Sequence, residues 1–322
     1  MALIVSNRNN NKGDYLIVVK IIGGLGNQML QYAFGRSYAI QNNTDFKMDI
    51  SAFKHYRPAK YQLYHFNIVE DIIRGKELKK LKLNLMLLRI FPLLGKLFPS
   101  SSSFVHKYID FQGSYYLPWI LDGIEGNIYY VGYAFSEKNF KNIANILRKE
   151  FTVKTEPNLE NKKLLDRIQN CNSVAIHVRR GDRVTCPEYP ALTQRYYKKG
   201  IDVILKKVDD PVFFVFSDDS DWAKENIKTS NPIVFVENNK PKYDGKTHSD
   251  KAYEDLRLMY TCKHFIISSS FSWWGAWLSQ NPDKIVISPE KWIYALNNKN
   301  PKTVMFRSEQ IVPQEWIKLS VV

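Results

Sequence analysis

Cysteine is scarce in this 322-residue chain: Cys171, Cys186 and Cys262 are odd in number and none belongs to a CxxC pair. That excludes a disulfide framework and a thiolate zinc site, and it favours a reducing compartment. Acidic residues are also short, 32 against 46 Lys and Arg, for a formal net charge of +14. The excess favours anionic partners: phosphorylated small molecules, nucleic acid or an acidic membrane surface. No apolar run reaches the ~18–20 residues that a membrane helix needs, and the Asn-rich stretch from Asn7 to Asn11 does not have the form of a signal peptide. The expectation is therefore a cytoplasmic protein. No zinc finger, RNA-recognition signature or KH loop is present, so nucleic acid is not an expected partner.

What is there is globular. Hydrophobic residues make up 44% and charged residues 24%, far from collagenous, coiled-coil or disordered compositions. The length exceeds the ~100–150 residues typical of one domain, which points to two domains or one large one. One stretch stands out. Residues 74–107 hold eight Lys or Arg and a single acid, Glu77, around an apolar run at 85–98. It reads either as a helix covering the core or as a basic amphipathic segment in peripheral contact with the inner face of a membrane, with Pro92 and Gly95 as breaks. The core helix is the preferred reading.

Residues 16–22 (LIVVKII) are a β-branched run, followed by Gly23-Gly24-Leu25-Gly26 and then by 27–41, where Met29, Leu30, Ala33 and Phe34 recur at helical spacing. This is strand, glycine turn, helix. Between 44 and 170 the pattern is less regular: a Pro/Trp region surrounds Pro118-Trp119, a strand is expected at 127–133, and no topology follows. The polar, proline-bearing stretch 154–161 marks an expected domain boundary near residue 155. Beyond it, strands are expected at 173–178, 212–216, 233–236, 265–268 and 285–288 with helical stretches between most of them, which describes a parallel α/β sheet. Such sheets bind ligands beyond the carboxyl ends of their strands.

The chemistry-bearing motifs sit at those ends. His177-Val178-Arg179-Arg180-Gly181-Asp182 follows the strand that contains Val174, Ala175 and Ile176, and its two arginines supply planar forks for phosphate oxygens. Phe216-Ser217-Asp218-Asp219-Ser220-Asp221 follows the next strand. Asp221 is expected to cap the helix starting near Trp222, with Asp218 or Asp219 facing a ligand, while Asp219-Ser220-Asp221 also spells the DxD of metal-dependent sugar transferases. Ser268-Ser269-Ser270-Phe271-Ser272 leads into Trp273, Trp274 and Trp277. Hydroxyls and unpaired N–H groups at a helix start make an anion site, and the tryptophans read as core. The loop of Gly24, Gly26, Asn27 and Gln28 fails as a dinucleotide fingerprint because Met29 stands where a third glycine belongs, and it suits a diphosphate, an acceptor sugar or a plain structural turn. Asp255, in the helical stretch 249–262 beside Tyr253, Leu256 and Met259, would need a partner such as guanine's N1–H and amino group if partly buried.

Taken together, GGLGNQMLQYAFGRSYA, HVRRGD, FSDD and SSSFSWWGAWL, in that order, resemble the α-1,2-fucosyltransferase family across residues 23–279. The resemblance implies two Rossmann-like domains facing across a cleft (GT-B type), with 1–155 on the acceptor side and 156–322 binding the donor. It implies GDP-β-L-fucose as co-substrate, a glycan acceptor, inversion to an α-linkage and no metal or other cofactor. By the same resemblance Arg180 holds the β-phosphate with Arg179 in support, His177 lies near the nucleoside and Asp255 reads guanine. Ser269, Ser270, Phe271 and Ser272 line the diphosphate site, and the loop from Gly24 to Gln28 faces it. Two positions depart from the family: Ser268 stands where it often has Asn, and Arg183 where an aromatic is common.

Arg180 and Asp182 are the expected catalytic residues, Asp182 as base with Glu188 as second choice. The rivals are a metal-dependent transferase using Asp219 and Asp221, a dehydrogenase, and a basic nucleic-acid or lipid-binding module. Activity is expected to persist in excess EDTA; its loss, restored by Mg²⁺ or Mn²⁺, would favour the metal-dependent rival.

Overall fold

The structure is a computed structural model that describes residues 15–56, 58–91, 105–111, 126–187, 189–239, 250–292 and 308–321. Glu188, the Pro118-Trp119 region and residues 92–104 of the basic segment lie outside the described residues.

The first half runs from β1 (Leu16–Lys20) through α1 (Leu25–Asn42) to β2 (Asp45–Asp49), then α2 (Gly75–Ile90), β3 (Val105–Phe111), β4 (Asn127–Gly132) and α3 (Ala144–Glu150). After α4 (Leu159–Gln169) come β5 (Asn172–Val178), α5 (Gln194–Leu205), β6 (Pro211–Ser217), α6 (Ser220–Asn226) and β7 (Ile233–Val236). The chain closes with α7 (Ala252–Thr261), β8 (His264–Ile266), α8 (Ser270–Leu278), β9 (Val286–Pro289), α9 (Ser308–Ile311) and β10 (Ile317–Leu319). Among the described residues these strands form two all-parallel sheets, ordered β2-β1-β4-β3 and β10-β9-β8-β5-β6-β7.

The second sheet, numbered within itself, has the order 3-2-1-4-5-6 of doubly wound nucleotide-binding sheets, and its direction of winding reverses between β5 and β8. Ligands bind at such a reversal because the connecting loops diverge there and leave a crevice. The arginine motif leaves β5 and the serine motif leaves β8, so both flank it. The first sheet has its own reversal between β1 and β4, and the glycine turn leaves β1. Two Rossmann-like layers of this kind are the GT-B arrangement that the resemblance implied.

Expected strands and observed strands agree to within two residues. β2, β3 and β10 were not anticipated: β2 (DFKMD) and β10 (IKL) are short and carry charge. Residues 74–107 begin as a core helix, since α2 buries Leu81, Asn84 and Leu88, the two leucines in a cluster with Val18, Ile73, Val105 and Tyr129, and it ends at Ile90, ahead of Pro92.

The halves share one apolar core. Trp274 stacks on Phe140 with ring centroids 5.3 Å apart and meets Phe151 edge-on at 5.1 Å. The indole N–H groups of Trp273, Trp274 and Trp277 donate to Ile311 O (2.8 Å), Gly26 O (3.1 Å) and Glu137 Oε1 (3.1 Å). The three rings are buried, as expected of core rather than of a sugar platform. Within the first half, α1 approaches its sheet at Gly35, where a Cβ would stand 2.5 Å from both Phe46 Cε2 and Val19 Cγ2. Gly35→Val should therefore destabilise the fold by about 1–3 kcal/mol through overpacking, read as a lowered urea midpoint; an unchanged midpoint would show that this contact yields freely.

Candidate active site

β5 is buried along nearly its whole length and delivers His177 to its carboxyl end inside the protein. Three hydroxyl groups surround the imidazole Nδ1: Ser268 Oγ at 3.0 Å, Ser272 Oγ at 3.1 Å and Ser269 Oγ at 3.3 Å. Burial first, and the nearby Arg179 and Arg183 second, hold its pKa down to about 3. A neutral ring is what this cluster accommodates, since a buried imidazolium would add a third cation beside two guanidinium groups.

The arginines that follow are not bare forks. Arg179 donates from Nη1 to Asp218 Oδ2 and from Nη2 to Asp182 Oδ1. Asp218 Oδ1 also accepts the backbone N–H of Arg180 at 2.8 Å. Arg180 donates from Nε to Asp219 Oδ2 at 3.0 Å, and its guanidinium carbon lies 4.2 Å from the centroid of the Trp222 ring. Both edges of Arg179 are thus taken by carboxylates. Arg180 is held by Nε and by its flat face, and its two Nη groups carry no hydrogen bond to any described residue. Arg183, held below its usual range by burial and by Arg179, donates to Ser268 O at 3.2 Å, tying the arginine loop to the serine loop. A cleft of about 380 Å³ opens beside them, lined by Arg180, Arg183, Val184, Thr185, Cys186 and Pro187 among others.

The helix cap differs from expectation. Asp219, not Asp221, is the N-cap of α6, accepting Trp222 N–H at 3.2 Å through Oδ1, while Asp221 stands exposed in the first turn. The backbone of Asp219 is non-helical, as an N-cap requires, whereas Asp221 is already helical. Asp219 thus accepts one hydrogen bond on each carboxylate oxygen, from Trp222 N–H on Oδ1 and from Arg180 Nε on Oδ2.

The serine loop and the glycine loop meet directly. Ser269 caps α8, and Ser272 Oγ accepts the N–H groups of Ser268 (3.0 Å) and Ser269 (3.1 Å). Gly24 caps α1 with extended backbone. A Cβ on Gly26 would lie 2.7 Å from Phe271 N and 2.9 Å from Ser270 Oγ, and Ser270 Oγ donates to Asn27 Oδ1 at 3.4 Å. The N-termini of α1 and α8 therefore come together, bringing two positive dipole ends to one spot. Gln28 does not join them. It is fully buried, donating to Gly23 O (2.9 Å) and Lys60 O (2.8 Å) and accepting from Gln62 N–H (3.0 Å). Its position one turn into α1 points it back toward the 60–62 segment, where its amide is engaged by the protein itself.

Asp255 lies on α7, along the same carboxyl edge but apart from these contacts, and Asn239 Nδ2 donates to its Oδ1 at 2.9 Å. Its neighbour Glu254 is the buried acid, 3.4 Å from Arg257. The sequence reading missed Trp222 as the seat of Arg180; an aromatic at the start of a helix behind paired acids was the available signal. It also missed Tyr56 in the first half. The pKa of Tyr56 is raised by burial and then by the charge of Asp182, so the two lie within electrostatic reach of each other.

Residues 16–320 match the family described as Glycosyl transferase family 11. The chain belongs to that family. Among its relatives, the alpha-1,2-colitosyltransferase of Escherichia coli is 31% identical over 315 residues, covering 94% of this chain and 99% of that protein. The galactoside alpha-(1,2)-fucosyltransferase 2 of Gorilla gorilla gorilla is 27% identical over 198 residues, covering 58% of this chain and 54% of that protein, so this alignment spans about half its length. In structure the chain is similar to the fucosyltransferase NodZ from Bradyrhizobium, with a TM-score of 0.51 at 13% identity over 85% of this chain and 94% of that one. The family 11 chain is a glycosyltransferase with the GT-B fold, and among its described residues no helix is long and apolar enough to cross a membrane.

The histidine gives a test with a definite sign. In the unfolded chain the imidazole takes up a proton near pH 6.5, whereas in the fold it resists protonation down to about 3. Stability tied to it is complete above pH 6.5 and is lost as pH falls toward 3, by up to about 1.4 kcal/mol per pH unit. Urea midpoints should fall less steeply on acidification for His177→Asn than for the parent; parallel curves would remove His177 as the titrating group.

Proposed function

We propose that this family 11 enzyme transfers L-fucose from GDP-β-L-fucose to a sugar hydroxyl with inversion, forming an α-1,2 linkage on a galactoside. The observation that carries this is the meeting of two helix N-termini at the reversal point of a doubly wound sheet, with the arginine loop tied to the same serine turn through Arg183 and carrying Arg180, seated by its Nε and face with its Nη groups turned to no described partner. A diphosphate is the ligand for which that combination is built.

As the bond from C1 to the β-phosphate oxygen breaks, positive charge spreads over C1 and the ring oxygen and negative charge gathers on the leaving GDP. Arg180 and the first-turn N–H groups of α8 stabilise that charge where it develops, which is how a preorganised site lowers a barrier. Arg179, Asp218 and Asp219 hold Arg180 in place, and Gly26 lets the two loops approach. Gly24, Asn27, Ser269, Ser270, Phe271 and Ser272 surround the diphosphate, His177 backs the loop from behind, and Asp255, steadied by Asn239, reads guanine. The acceptor hydroxyl attacks C1 from the opposite face and gives its proton to Asp182, whose side chain is 72% exposed and binds Arg179 through Oδ1 only.

In this reading residues 1–155 form the acceptor side and 156–322 the donor side, the acceptor is a glycan met on the cytoplasmic side, and no metal takes part. A colitosyl donor is the second reading, because the relative aligned over nearly all of its own length is named for that sugar. Parallel assays with the two nucleotide sugars separate them.

Arg180→Lys keeps the charge but loses the Nε contact to Asp219 and the planar fork. Turnover should drop by about 10²–10³, and the rise in melting temperature produced by GDP should shrink. Near-normal turnover with GDP-fucose would exclude Arg180 from the role assigned to it.

A further inference from the structure

The outward face of α2 is a large surface feature that sugar transfer leaves unused. Inward, the helix is an ordinary core element. Outward, Leu83, Met86 and Ile90 follow one another at three and four residues and so share one stripe, which Phe91 extends beyond the helix end. Their exposures are 52, 51, 59 and 58%. Lys76, Lys79, Lys80, Lys82 and Arg89 stand exposed on and around the stripe, and the acid of this helix, Glu77, pairs with Lys47 at 2.6 Å.

A helix on a protein surface normally turns its apolar residues in and its polar ones out. α2 has apolar residues on both faces, and its outer ones are framed by cations. A second copy of the chain is a poor occupant, because face-to-face packing would set five cations against five. Nucleic acid would engage the cations yet leave the aliphatic stripe in water. A surface offering phosphate charge above an apolar layer satisfies both features at once.

We propose that α2 docks the enzyme on an anionic phospholipid surface, with Leu83, Met86, Ile90 and Phe91 entering the boundary between headgroups and acyl chains and the five cations lying at the phosphate level. The enzyme would then rest on the membrane through its first sheet, without crossing it.

The test is flotation of the full-length chain with vesicles of phosphatidylglycerol and phosphatidylethanolamine, against vesicles of phosphatidylcholine alone. Docking predicts flotation with the anionic vesicles only, weakened by salt. Two triple variants should each reduce it: K76E/K79E/K82E by more than about a hundredfold, at roughly fivefold or more per cation, and L83S/M86S/I90S by at least about tenfold. All six side chains are exposed, so the melting temperature of the protein itself should be nearly unchanged in both variants and reports that the fold is intact. The proposal is overturned by equal flotation with phosphatidylcholine, by no flotation, or by an apolar variant that floats like the parent. It is also overturned if the apolar variant instead converts a dimer into a monomer on sedimentation. Flotation requires no donor sugar, so the outcome stands apart from the fucosyl reading.

Discussion

The architecture around the cleft depends on α8 being clamped between the two sheets. Its body is nearly all aromatic or small, and each large ring removes on the order of 150–250 Å² from water. The rings do more than fill space, because the indole N–H groups reach carbonyl or carboxylate oxygens at Gly26, Glu137 and Ile311. Two of these partners belong to the first half of the chain and one to the last thirty residues. Locking the helix body in this way fixes its N-terminus against the N-terminus of α1, a contact that two loosely joined domains would not keep.

Electrostatics in the cleft follow from that fixed point. Positive helix ends, Arg179, Arg180 and Arg183 crowd one side of the second sheet, and their mutual repulsion requires an answer in the protein itself. Asp182, Asp218 and Asp219 supply it, and their placement separates the two adjacent arginines. Arg179 is spanned by carboxylates on both edges and stiffens the loop. Arg180 is fixed by Nε and by the face of Trp222, which sets the direction of its remaining donors. A neutral His177 beneath this array adds hydrogen-bonding capacity without further positive charge.

The surplus of basic residues is not confined to the cleft. On α2 it is combined with an outward apolar stripe. The +14 net charge therefore has at least two local concentrations, one at the carboxyl end of β5 and one lying open on α2.

Much of this was legible in the residues themselves. The β-branched runs set the buried parallel strands because alternating or helical spacing would have placed the same side chains in water, and His177, Arg179, Arg180 and Ser268 to Ser272 were readable because each directly follows such a run. Other features were decided only by packing. Nothing in the spacing of Asp218, Asp219 and Asp221 says which of them caps α6, since that depends on the backbone angles at the strand exit. Gln28 looks as available as Asn27 until the fold brings Lys60 and Gln62 beside it. Trp222 becomes the seat of Arg180 only when β5 and β6 lie side by side, and the outward stripe of α2 becomes conspicuous only once its other face has been used. Local sequence fixes which elements form and which chemistry leaves their ends; the long-range contacts decide which of those groups are consumed inside the protein and which remain for a ligand.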